Sequence, residues 1–502
     1  MYERLIELLE MPSYTEWVRL LFVSTGLILC VVVGELIRKH FHWTAEVTRK
    51  FVHISVGIII FFAPQLFHTA LIPLGLAFIA VCSMAIAVRK GLLVGMHGTT
   101  RFSYGTMFYP LSFFILIILF WNKYPEIISL SMFGLAIGDA TAAIVGESLR
   151  HPKIFYLTSD KKSIEGSMTM FIVSNIVLLC GMYFLGLFSK YTIGYLFITA
   201  LCTSLITTIW EALSSKGFDN FTVPMSIAFA LYYFLVPTPL QNIEQFQYGI
   251  LLSLGIAFLS YYFRFLSISG SAATILLAST IFGIGGWKWT IPILVFFIFS
   301  SILSKIGKGK KQHIEHIFEK SSTRDWGQVA ANGGIAGLIV LLQYFFQDFN
   351  FYPYYIGAIA AVTADTWGTE IGIWFQWKTV SISCLKIVEP GTNGGVSLIG
   401  FLGGVLGAFI VAISSVYWLE SRLVLIAVYA GFFGSLVDSW LGGTLQATYR
   451  CTKCNKITER QIHCVAKTEF YKGIQWCNND VVNWICAFSG AIFPFLYILV
   501  CY

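Results

Sequence analysis

Apolar runs of about twenty residues recur along this 502-residue chain from end to end. Such a run crosses the hydrocarbon of a bilayer as an α-helix, because a helix satisfies its own backbone polar groups where no water can. Hydropathy places segments near 17–37, 51–64, 68–88, 104–121, 127–148, 165–187, 190–211 and 222–236. A second set lies near 246–264, 268–286, 288–304, 328–346, 353–375, 395–416, 421–445 and 481–501. The short stretches 51–64 and 222–236 also suit a tilted or re-entrant placement. Charged residues make up 12% of the chain, where a soluble domain carries about 25%. The expected architecture is all-α: a polytopic transmembrane helical protein of about sixteen spans in two parallel eight-helix repeats, with no sizeable soluble domain.

Charge orients these segments. Arg38, Lys39, Arg49 and Lys50 follow the first, Arg89, Lys90 and Arg101 the third, and Arg150, Lys153, Lys161 and Lys162 the fifth. The loops 305–324 and 446–479 hold two further basic groups. Most of the 33 lysines and arginines thus fall on one side, which the positive-inside rule makes cytoplasmic. An even number of segments in each half gives both halves the same orientation. The net charge of +7 reads as a topology signal, with attraction for anionic lipid or nucleotide as a secondary use, and not as a nucleic-acid footprint.

Within this apolar background one polar pattern occurs twice. Residues 1–240 carry Gly138-Asp139-Ala140, then Lys161-Lys162-Ser163-Ile164-Glu165-Gly166, then Glu211, then Asp219-Asn220. Residues 241–502 carry Ala364-Asp365-Thr366, then Gly391-Thr392-Asn393-Gly394-Gly395, then Asp438, then Asn478-Asn479-Asp480. Asp139 to Glu165 is 26 residues and Asp365 to Asn393 is 28; Glu165 to Glu211 is 46 and Asn393 to Asp438 is 45. Arg101 and Arg324 stand in matching places ahead of the fourth and twelfth segments. Carboxylates in apolar spans are costly to bury, so a repeated set points to function. Each piece alone has a plainer reading: Asp139 or Asp365 as a helix–helix hydrogen bonder, Gly394-Gly395 as close packing, Lys161-Lys162 as topogenic charge. Recurrence in one order on one membrane side argues against separate accidents.

The residue types then name a chemistry. Asp139, Glu211 and Asp219, like Asp365, Asp438 and Asp480, are hard oxygen ligands of the kind Mg²⁺ takes while keeping substrate phosphates. Asp139, Asp365 and Asp438 are the first candidates for that metal, and Glu165 completes the catalytic set. Arg101, Lys161, Lys162 and Arg324 suit phosphate oxygens. Gly166, Gly394 and Gly395 would let backbone amides approach phosphates, beside Asn220, Asn393 and Asn479. Acids, cations and glycine loops at a membrane face suggest phosphoryl or nucleotidyl transfer to a lipid. No Gly-x-x-x-x-Gly-Lys-Ser/Thr occurs, which excludes a P-loop kinase.

Residues 1–240 resemble the dolichol kinase/phytol kinase family of membrane kinases in Arg49-Lys50-Phe51-Val52-His53, Gly138-Asp139-Ala140-Thr141-Ala142, Lys161 through Ser167, Glu211, and Asp219 through Pro224. Residues 245–502 resemble the phytyl phosphate kinase family, related to transmembrane protein 19, in Arg324 through Val329, Ala364 through Gly372, Gly391 through Ser397, Gly434 through Gly442, and Asn479 through Asn483. The resemblance implies a fused two-step prenyl alcohol kinase with its active sites facing the cytoplasm. The first half would move a phosphoryl group from CTP, or another nucleoside triphosphate, to phytol or geranylgeraniol. The second would convert the monophosphate to the diphosphate. Prenyl alcohol, prenyl phosphate, nucleoside triphosphate and membrane lipids are the implied partners. His53, beside Lys50, would contact phosphate or act as a base, or simply cap and pack.

The halves also differ. Glu165 matches Asn393, and Lys161-Lys162 matches Glu389-Pro390, so the second site must find cations in Arg324, Lys378 or Lys386. Asp219 matches Asn478, with Asp480 as a stand-in. Glu370, five residues after Asp365, is expected about 140° round the helix and in a different job. Two other functions fit the same residues. One is a CTP-dependent cytidylyltransferase acting on a lipid phosphate. The other is a lipid-phosphate transporter, since transporters are also built from internal repeats, although their sites lie at the midplane rather than at one face.

The loop 446–479 carries Cys451, Cys454, His463, Cys464 and Cys477. The spacing suits a zinc site of Cys451, Cys454, Cys464 and Cys477, or four unligated thiols. Disulfides are disfavoured on the cytoplasmic side.

Overall fold

The computed structural model describes residues 8–42, 45–90, 104–236, 239–306, 323–375 and 377–501. The chain divides into two compact units, 1–243 and 244–502. The first holds helices α1 Tyr14–Phe41, α2 Ala45–Phe61, α3 Leu71–Lys90, α4 Gly105–Phe120 and α5 Pro125–Ser148, a short hairpin of β1 Ile154–Phe155 and β2 Lys162–Ser163, then α6 Ile164–Phe184, α7 Ile193–Leu213 and α8 Asp219–Leu235. Helix α9 Pro239–Tyr262 follows, then a helical run α10 Ile268–Ile306, α11 Trp326–Phe345 and α12 Tyr352–Phe375. A three-stranded sheet of β3 Thr379–Ser381, β4 Ile387–Val388 and β5 Gly395–Ser397, in the order β4-β3-β5, leads to α13 Leu398–Ser414 and α14 Ser421–Thr444. Four strands, β6 Thr448–Cys451, β7 Ile457–Thr458, β8 Ile462–His463 and β9 Ala466–Lys472, form the order β7-β6-β9-β8 before α15 Asn479–Cys501.

Among the described residues, ten helices are long and apolar enough to cross a membrane, and Gly105–Phe120 and Leu398–Ser414 are shorter apolar helices. The chain is a multi-pass, all-α membrane protein. Each segment expected from hydropathy falls largely on a helix. The expected spans 268–286 and 288–304 share one helical run that reverses at Gly286 (φ 64°, ψ −159°). A Cβ built on Gly333 of α11 would lie 2.3 Å from Leu277 and 3.7 Å from Ile293, so both arms of the run reach one point of α11. The reversal needs the left-handed φ that glycine tolerates. Gln245 Nε2 donates to the carbonyls of Phe282 (3.1 Å) and Gly283 (2.7 Å), which the break leaves without helical partners.

One helix in each unit is covered on most sides. In the first unit α5 packs against α2, α6 and α8, and Ile128, Leu130, Met132, Leu135 and Ala136 have no solvent exposure. In the second, α12 packs against α13, α14 and α15 through Ala358, Ala360, Ala361 and Ala364. Small side chains let backbones approach, which is how helices associate where lipid is as apolar as leucine. The same crossing recurs in the two units. Ser163 caps α6 by accepting the Gly166 amide (3.1 Å), and a Cβ on Gly166 would stand 3.1 Å from the Ala142 carbonyl oxygen of α5. Ser397 caps α13 by accepting the Gly400 amide (3.1 Å), and a Cβ on Gly400 would stand 2.8 Å from the Gly368 carbonyl oxygen of α12. This pairs Gly166 with Gly400, and therefore Glu165 with Ile399, in place of the expected match of Glu165 with Asn393.

Glu16 shows that a buried carboxylate can be purely structural. It closes a capping box with Ser13 and accepts the amides of His68 (2.8 Å) and Thr69 (2.9 Å), tying α1 to the turn before α3. Gly286→Ala is expected to destabilise the protein by about 1–3 kcal/mol, because positive φ with ψ of about 180° is essentially open to glycine alone. Thermal denaturation in detergent reads this, and an unchanged midpoint would remove the strained reversal from the account.

Candidate active sites

The first unit brings Asp139 of α5, Glu211 in the last turn of α7 and Asp219 in the first turn of α8 together, with one carboxylate oxygen of each within 4.8 Å of the others. Two lysines enter this cluster from elements that the sequence separates widely. Lys162 of β2 pairs with Glu211 and lies 3.5 Å from Asp219 Oδ2. Lys50 of α2 donates to Asp139 Oδ2 at 2.5 Å, and both residues are buried. Against the lowering effect of burial, the Glu211 and Asp219 carboxylates hold the Lys162 ammonium above the ordinary lysine range. The pairing contributes stability below the unfolded lysine value and loses it only as pH rises through the higher folded one, so it persists at neutral pH.

His53 lies one helical turn beyond Lys50 and packs its ring on Tyr109 at 4.4 Å. Its Nε2 is buried with no hydrogen-bond partner among the described residues. Lys50, His53, Asp139 and Asn220 form the polar end of a cavity of about 330 Å³, whose walls are apolar: Ile59, Ile60, Phe67, Ala77, Met84 and Phe113 among them. Lys50, which the sequence offered only inside the Arg49–His53 motif, is a candidate site residue that the repeat spacing missed. Its signal was the i, i+3 relation to His53 at the start of an apolar helix.

Other expected members of this site do different work. Glu165 accepts the Lys153 amide through both oxygens (3.2 and 3.0 Å), bracing the loop that carries the β1–β2 hairpin, and does not join the carboxylate cluster. Gly166 serves the helix crossing, where a Cβ would meet Ser163 Oγ at 2.9 Å and the Ala142 carbonyl oxygen at 3.1 Å. Lys161 is exposed while Lys162 turns inward, as neighbours in extended backbone do. Asn220 lines the cavity, with its side-chain amide donating to Asp219 Oδ1 (3.0 Å). Arg101 lies outside the described residues.

The second unit encloses a larger cavity of about 530 Å³. Asp365 of α12 and Asp438 of α14 both line it, and Asp438 Oδ2 is buried without a hydrogen-bond partner among the described residues. Gly394 (φ 74°) bends the loop before β5 against α14: a Cβ there would stand 2.5 Å from Gly443 Cα. Asn393, Gly394 and Gly395 line the cavity, and Asn393 Nδ2 donates to Glu459 Oε1 (2.8 Å). Arg324, packed over Phe296 and Phe297, faces the same space. Burial pulls its guanidinium down to about 10, with Glu370 opposing, so it stays cationic at neutral pH. Glu370 also lines the cavity and accepts the Ser304 hydroxyl (2.6 Å).

Several expectations for this unit change. Asn479 and Asn483 line the cavity, one helical turn apart on α15, and Asp480 is not among its lining residues; it sits about 100° round the helix from Asn479. Asn478 accepts the Val481 amide (3.1 Å) as a cap. Lys378 and Lys386 are exposed and off the cavity, whereas Arg460, in the cysteine loop, lines it. In that loop Cys451, Cys454, His463 and Cys464 converge, with one ligand atom of each within 4.8 Å of the rest. Cys477 is not in this cluster; it is buried against Leu441 and Val482, because it begins the turn into α15.

Residues 251–491 match the family described as integral membrane protein DUF92. The chain is 30% identical to Protein PGR of Arabidopsis thaliana over 265 residues, 47% of this chain and 91% of that protein. It is 29% identical to a phytol kinase of Synechocystis over 216 residues, 42% of this chain and 89% of that one. With Protein VTE6 of Arabidopsis thaliana it shares 24% identity over 239 residues, 46% of this chain and 65% of that protein. No solved structure matches. A helical membrane protein with carboxylates and cations gathered in two cavities is the class that fold and sites define. The chain belongs to the DUF92 integral membrane family.

Lys162→Met is expected to destabilise the first unit by about 3–5 kcal/mol, since it strands the buried Glu211 and the half-buried Asp219 without their counter-charge. Adding Glu211→Gln is expected to restore part of the loss. Melting curves of the three proteins in detergent decide it, and a full-strength Lys162→Met protein would show that the ion pair does not form.

Proposed function

We propose that the protein is a prenyl kinase that works in two steps. The first unit transfers a phosphoryl group from CTP, or another nucleoside triphosphate, to a long-chain prenyl alcohol. The second phosphorylates the resulting monophosphate to the diphosphate. Both sites face the cytoplasm, the side to which the basic loops assign them. The observation that carries this reading is the apolar cavity of the first unit, which ends on Lys50, His53 and Asp139. An apolar chain with one hydroxyl at its tip fits such a space. The likeness to a phytol kinase supports the same substrate class.

The donor set of Asp139, Glu211 and Asp219 fits Mg²⁺, which takes carboxylates and substrate phosphates together. Bound there, it would neutralise charge on the transferring phosphate. Lys162 is placed to exchange its carboxylate partners for phosphate oxygens. Lys50 fixes the orientation of Asp139. The alcohol oxygen attacks the terminal phosphorus, its proton passes to a carboxylate of the cluster, and the nucleoside diphosphate leaves. Asp139 and Asp219 are the candidates for that base.

In the second unit the acceptor is itself a phosphate monoester, with a second pKa near 6, and needs no base. It does need positive charge, because two anions must meet. Arg324 and Arg460 line that cavity, and the Asp365–Asp438 pair offers the carboxylates for Mg²⁺.

Purified protein given Mg-CTP and geranylgeraniol is expected to form mono- and then diphosphate by mass spectrometry. Asp139→Asn should abolish the first step and spare the second on supplied monophosphate. Asp365→Asn should do the reverse. A single variant that removes both activities from folded protein points to one composite site, and a product carrying CMP makes the protein a cytidylyltransferase. The two steps are also expected to differ in pH dependence: the second rises as its acceptor ionises near pH 6, the first follows its own carboxylate base. Superimposable profiles from pH 5 to 9 would contradict the assignment of a base to the first step alone.

A further inference from the structure

The strands β6 to β9 form a sheet that cannot hold itself. Strands β7 and β8 are two residues each. Ile457, Ile462, Val465, Phe470 and Tyr471 are exposed, so the sheet has almost no apolar core of its own. Isolated sheets this small need a staple. Its β8–β9 turn is also unfavourable: Cys464 (φ 52°) and Val465 (φ 58°) both take left-handed backbone, a conformation that a β-branched side chain resists. That turn nevertheless delivers the Cys464 thiol to Cys454 and His463.

We propose that Cys451, Cys454, His463 and Cys464 bind a zinc ion that holds this sheet and sets Glu459 and Arg460 at the second cavity. The distances match a tetrahedral Cys₃His centre. Zinc 2.3 Å from each sulfur and about 2.0 Å from nitrogen separates sulfurs by about 3.8 Å and sulfur from nitrogen by about 3.6 Å. Cys454 Sγ and Cys464 Sγ are 3.9 Å apart, too far for a disulfide. His463 Nδ1 is 3.5 Å from Cys454 Sγ and 3.3 Å from Cys464 Sγ. The ligands come in two pairs, one at the β6–β7 turn and one at the end of β8. The chain between them, 455–462, is thereby closed at both ends by one ion. It carries Glu459, which accepts from Asn393 (2.8 Å) and Gln446 (2.7 Å), and Arg460, both lining the cavity.

The full-length protein purified in detergent is expected to carry about one zinc per chain by elemental mass spectrometry. Cys454→Ser and Cys464→Ser should lower this by about tenfold or more, while Cys477→Ser keeps it. Should the first two fail to fold, chelator-treated parent protein reloaded with Co²⁺ is expected to show thiolate charge-transfer bands and tetrahedral d–d absorption. Chelation should also raise amide hydrogen exchange across 448–472 and leave the α5–α6 crossing unchanged. Absence of zinc with no cobalt spectrum, equal zinc in all variants, a stoichiometric metal other than zinc, or a Cys454–Cys464 disulfide would each overturn the proposal. None of these readouts depends on what reaction the cavities catalyse.

Discussion

The structure turns on how ionised groups are kept inside an apolar scaffold. An unpaired carboxylate costs several kcal/mol in such surroundings, so every buried one must meet a cation, a set of amides or another ligand. The protein uses a different solution at each place. Glu16 takes backbone amides and becomes a clamp. Asp139, Glu211 and Asp219 take Lys50 and Lys162. Asp365 and Asp438 face one cavity, where Asp438 Oδ2 has no hydrogen-bond partner among the described residues. The first solution is closed and structural. The other two leave carboxylates facing cavities that a metal ion or a phosphate can enter, and the proposed function rests on them.

Helix packing makes those encounters possible. Asp139 and Asp365 sit on the most covered helix of each unit, and the small residues around them bring the next helix close. In both units a serine cap and a glycine three residues later press one helix against the carbonyls of the other. The crossing fixes where the loop ahead of it ends. In the first unit that loop ends on Lys162, inside the carboxylate cluster; in the second the preceding loop instead lays Asn393 and Gly394 over α14. Around these similar crossings the two units carry different charge patterns: lysines among carboxylates beside an apolar cavity, and arginines with amides around two carboxyl groups.

The second cavity depends further on a small sheet with little core. Glu459 and Arg460 reach it from the loop between β7 and β8. A side chain held by such a sheet is only as well placed as whatever closes that sheet, and the Cys451, Cys454, His463 and Cys464 cluster is the feature able to do so.

The sequence by itself determined the membrane architecture, because a hydrocarbon layer admits only self-satisfied helices of fixed length. It also singled out carboxylates that the fold brings to cavities or clusters, Asp139, Glu211, Asp219, Asp365 and Asp438, because charges in apolar spans stand out in one dimension. Only the tertiary structure decided their partners. Lys50 reaches Asp139 across 89 positions, and Lys162 reaches Glu211 across 49, distances over which spacing carries no signal. Side-chain direction was equally out of reach: Lys162 and not Lys161, Asn479 and not Asp480, His463 and not Cys477. The first two choices are made by a single step of strand or helix rotation, and the third by where the chain turns into α15; packing alone fixes each.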